Sequence, residues 1–385
     1  MLTNIKRRID RFESLAELAP ISEEWNQLAL KSGQKIPMQS YAWIFSFLKH
    51  RLKKNEHFRV YVLFENDKIS AILPLVISAR TMLGKKFRIL RTPSDYHTSS
   101  VDLISIRENK NKNISLIFER VFEDFPRLYS LSLSRLVEHS ETLKFFETKN
   151  NAYKIISNFY GKGAFLKIDG DFDSYRMNLS SKQRRNFSKS ARRLSVLDDI
   201  SFSFGESNNT TSEELNKFME VEALSWKGKS GSAILKSDKL KEFYLTLCQE
   251  LEKQGWMDWQ FLSADRKIIA GNLSVKFGDS VLLWKLGYDE NYSTCSPGSL
   301  LFEQLVKRAY ESDEIKEINL MTDMGWHKNW KTSYRSYYNL TIYKNSFMPI
   351  LFGYFPNLYL KRLKAVPFLL KLAKSLRRML ERKKL

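Results

Sequence analysis

The segment Ser296-Pro297-Gly298-Ser299 has the residue types of a phosphate-binding helix start. Serine is a common N-cap residue, proline fits the first helical position, and glycine allows close approach to the backbone. Backbone N–H groups at a helix N-terminus lack partners within the helix, and the helix dipole adds to their attraction for anions. Any well-capped helix has similar residues. Even so, the segment predicts a pyrophosphate cradle at Ser296, Gly298, Ser299 and Leu300.

The elements before this segment belong to an internal duplication. Tyr41 to Ala71 aligns without a gap with Leu240 to Ala270, at an offset of 199 residues. Each copy predicts an amphipathic helix, a strand, a tight polar turn and a second strand. The turns are Asn66-Asp67 and Asp265-Arg266, and each is followed by Lys-Ile-x-Ala.

Each half continues with a strand, a helix and a further apolar strand. In the first half these are predicted at Phe87 to Arg91, Ile114 to Glu123 and Leu128 to Ser134; in the second, at Ser280 to Tyr288, Ser299 to Tyr310 and Glu317 to Met321. The pattern indicates an α/β (α+β) fold with mixed, mainly antiparallel sheets and a crossover helix in each half. We predict domains at 1–160 and 161–345, and a tail at 346–385.

Positive charge is concentrated in two segments of the chain. Lys and Arg number 63 against 43 Asp and Glu, for a net charge of +20. The segment 182–193 holds six basic residues and no acid, and 358–385 holds ten against the single Glu381. The first segment predicts a helix that is either a solvated basic face or an anion-binding one. Its apolar stripe is predicted to comprise Phe187, Ala191 and Leu194.

The second basic segment predicts an amphipathic helix at the C-terminus. Leucines recur at helical spacing from Leu369 to Leu380, with basic residues between them. Such a helix favours the surface of an anionic membrane, with Phe347 to Leu360 as a second contact. Packing on the protein itself or in a partner's groove are the alternatives.

Other chemistries have no support in the sequence. Cys248 and Cys295 show no metal-ligand or redox spacing, the histidines show none either, and no P-loop or dinucleotide fingerprint occurs. We therefore expect no metal. The charged N-terminus does not have the pattern of a secretory signal, and the longest apolar run is too short to span a bilayer. These features favour a cytoplasmic protein that is peripheral on the inner face of the membrane.

Four short segments together resemble one family. They are Glu222-Ala223-x-x-Trp226-Lys227-Gly228, Lys267-Ile268-x-Ala270, Gly287-Tyr288-Asp289 and Ser296-Pro297-Gly298. In these the chain is similar to the tandem-domain GNAT-type acyltransferases called CelD-like or FemAB-like, over about residues 20–343. The resemblance implies two GNAT-like folds packed together, with acyl-CoA bound in the C-terminal one. The usual Gln/Arg-x-x-Gly-x-Gly/Ala loop is reduced here to Ser-Pro-Gly-Ser, which leaves the acyl carrier open.

The chemistry implied by this resemblance is attack of an amine on a thioester. An alkyl amine is almost fully protonated at pH 7, so a group at the site must take a proton from its ammonium form. Glu222 and Asp323 are the predicted bases, with His327 as the alternative. Lys328 is predicted to contact a phosphate or carboxylate of the donor. The predicted acceptor contacts are Trp226, Lys227 and Tyr288.

The leading hypothesis is an acyl-CoA-dependent N-acyltransferase. On the resemblance alone, its acceptor is an amino sugar or another precursor of the envelope or of a surface polysaccharide. An alternative is aminoacyl transfer from charged tRNA to an envelope precursor, in which the net charge would serve nucleic-acid binding. A third possibility is a non-catalytic GNAT-like scaffold at the membrane.

Overall fold

The computed structural model describes residues 6–106, 108–148, 153–205 and 210–364. The strands are β1 (Arg7–Phe12), β2 (His57–Glu65), β3 (Lys68–Met82), β4 (Lys85–Arg91), β5 (Ile104–Ser105), β6 (Leu128–Val137), β7 (Tyr153–Lys167), β8 (Ser201–Gly205), β9 (Met257–Ala264), β10 (Lys267–Phe277), β11 (Ser280–Tyr288), β12 (Glu317–Asn319) and β13 (Ser333–Lys344).

The helices lie between and after these strands. They are α1 (Leu15–Leu18), α2 (Ser22–Lys31), α3 (Tyr41–His50), α4 (Lys110–Asp124), α5 (Glu141–Thr148), α6 (Phe172–Asn178), α7 (Ser181–Leu194), α8 (Thr211–Ala223), α9 (Trp226–Lys229), α10 (Asp238–Glu252), α11 (Pro297–Tyr310), α12 (Phe347–Pro349) and α13 (Phe355–Lys364). A π-helical turn, Ile350–Tyr354, joins the last two.

The duplicated helix and hairpin form in both halves as the sequence predicts. The turn residues Asn66 and Asp67 have φ of 50° and 61°, and Asp265 and Arg266 have φ of 52° and 61°. Two successive positive φ values define a type I′ turn, whose twist suits a two-residue hairpin. The helices that precede the two hairpins, α3 and α10, pack directly against each other. The two halves therefore meet along their equivalent helices.

The predicted mixed, mainly antiparallel α/β architecture is confirmed, but the strands of the two halves join in one sheet. Its order is β1-β2-β3-β4-β6-β13-β7-β12-β11-β10-β9-β8, with β5 paired to β3. Among the described strands, the parallel pairs are β4 with β6 and β11 with β12. These two pairs occupy equivalent positions in the two halves. In each, a crossover helix, α4 or α11, connects the partners.

The two halves exchange their last strands. Strand β7 follows β6 in the chain but pairs with β12 of the second half, whereas β13 follows β12 but pairs with β6 of the first. The exchanged strands also pair with each other, from Ser333 with Phe165 to Lys344 with Tyr153. Residue 160, the predicted end of the first domain, lies within β7. The predicted domain boundaries stay a prediction.

The basic segment folds as the predicted helix, α7, but its buried stripe differs. Phe187 and Leu194 are buried as expected, whereas Ser190 is buried and Ala191 is exposed. The residue at i+3 from Phe187 thus faces the protein instead of the one at i+4. The ring of Phe187 lies 4.8 Å from that of Trp330, which fixes this helix against the second half.

The last described elements, from α12 to α13, pack on the sheet near β7 and β13. The predicted amphipathic helix from Leu369 to Leu380 lies outside the described residues. Among the helices that the structure describes, none is both long and apolar enough to cross a membrane.

Candidate active site

The parallel strands β11 and β12 separate at the centre of the second half. They pair only from Ser280 with Glu317 to Leu282 with Asn319, after which β11 continues to Tyr288 and β12 ends. Met321, just past β12, has a left-handed backbone with φ of 54°, so the predicted strand ends two residues early. A cavity of about 790 Å³ lies beyond this separation. Its walls include Leu283, Lys285, Leu286, Leu320, Met321 and Thr322.

Both halves of the chain contribute walls to this cavity. From the first half come Met38, Tyr96, His97, Ser99 and Arg135; from the second come β11, the start of α11 and the segment after β12. The packing of α3 on α10 brings these walls together. A ligand in the cavity would therefore contact both halves at once.

The predicted phosphate cradle borders the cavity, with a different cap from the expected one. Ser296, Gly298 and Ser299 line it, whereas Leu300 is buried in the core. Ser296 occupies the N-cap position in a left-handed conformation, φ 49° and ψ 53°, and its side chain makes no capping hydrogen bond. The N–H groups of Ser299 and Leu300 donate to its carbonyl oxygen at 2.9 and 3.2 Å. Among the described residues, the N–H of Gly298 has no acceptor.

A second, polar pocket of about 290 Å³ lies on the other side of the same helix start. Ser296 and Ser299 line both pockets, and Lys189 and Arg193 of α7 line only this one. One guanidinium nitrogen of Arg193 donates to the carbonyl oxygen of Thr294 at 2.8 Å. The basic helix thus lies beside the cradle.

Glu222 lies beneath the cavity and does not line it. Its side chain is fully buried, and Oε1 is 3.0 Å from Nζ of Lys227 and 3.6 Å from Nζ of Lys285. Its Oε2 accepts the backbone N–H of Ile234 at 2.9 Å. The two lysines both line the cavity, so the carboxylate reaches the cavity through them.

Two glycines of the sequence segments around Glu222 are required for this packing. A Cβ at Gly287 would lie 2.6 Å from Cα of Glu222, and one at Gly228 would lie 1.8 Å from the carbonyl oxygen of Ala223. Both distances are below any normal contact. Glycine at these positions lets α8, α9 and β11 approach closely enough to bury the carboxylate.

Comparisons with known proteins identify the family of part of the second half. Residues 181–332 match the family model described as an acetyltransferase (GNAT) domain. This stretch contains Glu222, the separating strands and the start of α11. It is a GNAT acyltransferase domain. The GNAT fold predicted for the second half, and the acyltransferase class, are thereby confirmed.

Solved structures share the fold of the whole chain. The structure of FemX has a TM-score of 0.61 at 9% identity, covering 87% of this chain and 97% of its own. A protein of unknown function from Bacteroides thetaiotaomicron has a TM-score of 0.54 at 10% identity, covering 88% and 100%. The C-terminal domain of a putative lysylphosphatidylglycerol synthetase from Agrobacterium fabrum has 0.51 at 11%, covering 86% and 92%. Among curated proteins, none matches the sequence.

Lys285, in the middle of β11, has an amine whose pKa is well below its ordinary value. Burial lowers the pKa of its ammonium to about 8, although the carboxylate of Glu222 acts in the opposite direction. Its Nζ also lies 5.2 Å from the centre of the Tyr244 ring. A lysine with this pKa is about one-tenth neutral at pH 7, so it can accept a proton there.

A histidine of the first half joins the same network. Nδ1 of His97 is 2.9 Å from the hydroxyl of Tyr244. Burial, followed by the charge of Lys285, lowers the pKa of His97 to about 4, so its ring is neutral at pH 7. Burial raises the pKa of the Tyr244 hydroxyl, which stays protonated. The network therefore links the two halves without adding a further positive charge to those of Lys227 and Lys285.

The remaining predicted proton acceptors occupy different positions. Asp323 is exposed and does not line the cavity, although its neighbours Thr322 and Met324 do. His327 is buried and lines it; its Nδ1 accepts the N–H of Met324 at 3.2 Å, so a neutral ring carries its proton on Nε2. Burial lowers the pKa of His327. Lys328 is exposed and lies outside both pockets.

All three residues predicted to contact the acceptor line the cavity. The ring of Trp226 is half exposed, and the ring of Tyr288 lies beside Gly298, where a Cβ would be 3.4 Å away. Nζ of Lys227 donates to the carbonyl oxygen of Leu286 at 2.7 Å in addition to its ion pair. The structure thus brings Trp226, Lys227 and Tyr288 together with the cradle.

Lys285, His97 and Arg135 were not among the site residues predicted from the sequence. A lysine inside the apolar strand VLLWKLGY was a usable signal, because buried strands rarely hold an unpaired charge. His97 and Arg135 had no such signal, since only the packing of the two halves brings them to the cavity. Within the described ranges, no group of three or more His, Cys, Asp or Glu side chains could hold a metal ion.

Proposed function

We propose that the protein transfers an acyl group from acyl-CoA to a primary amine. The observation that carries this proposal is the cavity itself, where the start of α11, the gap between β11 and β12, and Lys285 all face one space. Such a space fits a donor with phosphates at one end and a thioester at the other. The class of enzyme rests on the GNAT domain; the donor and acceptor are the proposal.

The donor phosphates would bind at the start of α11. The open N–H of Gly298 and the helix dipole attract an anion, and Lys189 and Arg193 add positive charge from the adjoining pocket. The pantetheine arm would then run into the gap between β11 and β12, whose walls at Leu283, Leu286 and Leu320 are apolar.

Lys285 is proposed to take the proton of the attacking amine. The amine nitrogen attacks the thioester carbonyl, the C–N bond forms, and the C–S bond breaks. The proton passes from the amine to the neutral Lys285, and from there to the departing thiolate, which leaves as the thiol of CoA. In this scheme Glu222, predicted as a base from the sequence, is a positioning residue that sets the position and pKa of Lys285.

The acceptor is proposed to enter along the wall formed by the first half. Arg135 lines this wall, stacks 4.6 Å from the ring of Tyr160 and has no carboxylate partner among the described residues. An unpaired guanidinium at a cavity favours an acceptor that carries an anionic group besides its amine. An amino sugar or another precursor of the envelope or of a polysaccharide remains the proposed class, on the family resemblance.

The alternative donor, an aminoacyl-tRNA, is favoured by one feature. Helix α7 presents Lys182, Arg185, Lys189, Arg192 and Arg193 to solvent beside the cradle. Exposed basic residues along one helix suit the phosphates of a nucleic acid. The same helix suits the phosphates of CoA, so the donor must be distinguished by experiment.

The test compares the two donors on the full-length protein. Isothermal titration with acetyl-CoA is expected to show saturable binding of one molecule per chain. Retention of tRNA on the immobilised protein is expected to be weak and to disappear as salt rises, because nonspecific phosphate contacts release counterions. Saturable tRNA binding without acetyl-CoA binding would establish the alternative donor. Failure to bind either would favour a non-catalytic scaffold.

A further inference from the structure

The helical segment from Phe347 to Lys364 is apolar on two opposite faces. Its inner face packs on the sheet through Met348, Tyr354 and Leu358, which contact a buried cluster of Phe87, Tyr129, Ile156 and Tyr343. This packing accounts for one apolar face of the helix. It does not account for the other.

The outer face presents large apolar side chains to solvent. Phe347 is 72% exposed, Phe355 54% and Tyr359 64%, and the exposed Leu351 and Phe352 lie between them. The spacing of four residues keeps Phe347, Leu351, Phe355 and Tyr359 on one side of the helix. A helix on a protein surface normally has polar residues there. A contiguous patch of exposed aromatic rings therefore indicates a binding surface.

The segment is held firmly, so the outer face has a fixed position. A Cβ at Gly353 would lie 2.6 Å from the Tyr343 ring, which shows how closely the helix approaches the sheet. Nδ2 of Asn357 donates to the hydroxyl of Tyr343 at 2.6 Å, and Nζ of Lys361 donates to the carbonyl oxygen of Ser157. Exposure of the rings is therefore a property of the packed segment.

The chain segment that forms this face carries charge of one sign. The sequence contains no Asp or Glu between Asp323 and Glu381, while Lys361 and Arg362 lie exposed at the end of the face. The nearby tip of the β3–β4 hairpin adds Leu83, 79% exposed, with Lys85 and Lys86, because Met82 packs against the same cluster as Met348. Beyond the described residues, 365–385 add seven basic residues and one acid.

We propose that the outer face of residues 347–362, with the β3–β4 hairpin tip, docks on an anionic lipid bilayer. Aromatic rings and leucines would enter the interface while the lysines and arginines contact anionic headgroups. A protein partner would need a surface that is apolar and acidic at once, whereas an anionic bilayer has both properties everywhere. The charge pattern therefore favours the bilayer.

The test uses the full-length protein and vesicles of phosphatidylcholine with about one-third phosphatidylglycerol. The variant carries Phe347→Ser, Phe355→Ser and Tyr359→Ser. The matched control carries Val196→Ser, Ile200→Ser and Leu224→Ser, which are also exposed apolar residues but lie far along the chain from the face. Each changed side chain is exposed, so both proteins are expected to keep the parent melting temperature within about 2 °C.

Cosedimentation is expected to show binding of the parent and the control, and at least tenfold weaker binding of the triple variant. Pure phosphatidylcholine vesicles are expected to bind all three poorly. Lys361→Glu with Arg362→Glu is expected to weaken binding and to reduce its dependence on salt.

Three outcomes would overturn the proposal. The first is a parent that does not bind anionic vesicles. The second is a folded triple variant that binds as the parent does, which would move the contact to another part of the chain. The third is a dimer that the parent forms and the triple variant does not. The face would then be a contact between two copies of the chain.

Discussion

Nζ of Lys285 lies 3.6 Å from Oε1 of Glu222, a carboxylate that the protein buries completely. Two opposing effects act on this amine. Burial lowers its pKa to about 8, and the negative charge of Glu222 keeps the pKa from falling further. The pair therefore sets the fraction of neutral amine at the cavity near pH 7.

Removing the charge of Glu222 should shift the pH dependence of the reaction. Because Glu222 raises the pKa of Lys285, Glu222→Gln leaves a lower pKa and more neutral lysine at any pH below 8. The rising limb of kcat/KM is then expected to move to lower pH, whereas the parent rises through about pH 8. The measurement is kcat/KM for acetyl transfer from pH 6 to 9.5, with one acceptor throughout.

The same substitution distinguishes the structural hypothesis from the sequence-based one. If Glu222 itself takes the proton, Glu222→Gln lowers the rate at neutral pH, and the rising limb of kcat/KM moves to higher pH. A shift in that direction would exclude the role proposed for Lys285.

Replacing Lys285 should affect turnover more than donor binding. Lys285→Met is expected to lower kcat/KM at pH 7.5 by about 10²-fold or more, since general bases contribute about 10² to 10⁴. The affinity for acetyl-CoA is expected to stay within about threefold of the parent. Lys267→Met, at the exposed start of β10, is the matched control and should behave as the parent.

Asp323→Asn belongs in the same series, because Asp323 is the other predicted base. Its exposed position outside the cavity leads us to expect an effect of less than about threefold. A loss as large as that of Lys285→Met would assign the proton transfer to Asp323 instead.

The start of α11 offers a test of donor binding that leaves the fold intact. A Cβ at Gly298 would make only an ordinary contact, 3.4 Å from the ring of Tyr288, so Gly298→Asp should fold. Its carboxylate beside the donor phosphates is expected to weaken acetyl-CoA binding by 100-fold or more in calorimetry. Gly298→Ala adds the Cβ without the charge and is expected to retain most of the affinity. Unchanged binding by Gly298→Asp would show that the phosphates bind elsewhere.

Gly287 offers a test of the packing that buries Glu222. Gly287→Ala would force a Cβ to within 2.6 Å of a backbone atom of α8, so the helix or the strand must move. We expect the free energy of unfolding to fall by about 2 kcal/mol or more, as for other overpacked sites. Gly161→Ala, in β7, has no neighbour within 4 Å and is the control. Urea denaturation measures the stability of both variants, and equal stability would contradict the close approach of β11 to α8.

The parts of the fold that depend on local sequence were predictable. The hairpins at Asn66-Asp67 and Asp265-Arg266 form as predicted because a type I′ turn needs only two residues that tolerate positive φ. The helix α11 begins at Pro297 for a similarly local reason. The conformation of Ser296 could not be predicted, because it depends on the preceding turn and not on the N-cap preference of serine.

The parts of the site that depend on contacts distant in sequence were not predictable. Glu222 was identified by its segment, but its burial under Lys227 and Lys285 follows from two close approaches of backbone at Gly228 and Gly287. His97 reaches the cavity through the packing of the two halves, where its ring contacts Tyr244 of α10. Residues distant in sequence become neighbours through such packing, and local sequence patterns do not predict these contacts.

The exchange of β7 and β13 limits how the chain can be divided. A fragment that ends near residue 160 would lack β13, the strand that pairs with β6, and one that begins there would lose about half of β7. Each fragment would expose an unpaired strand edge in the middle of what was a continuous sheet, which promotes aggregation. Separate expression of the second half therefore requires a rearranged gene, in which 153–167 stays with the second half and 333–344 is transferred to the first.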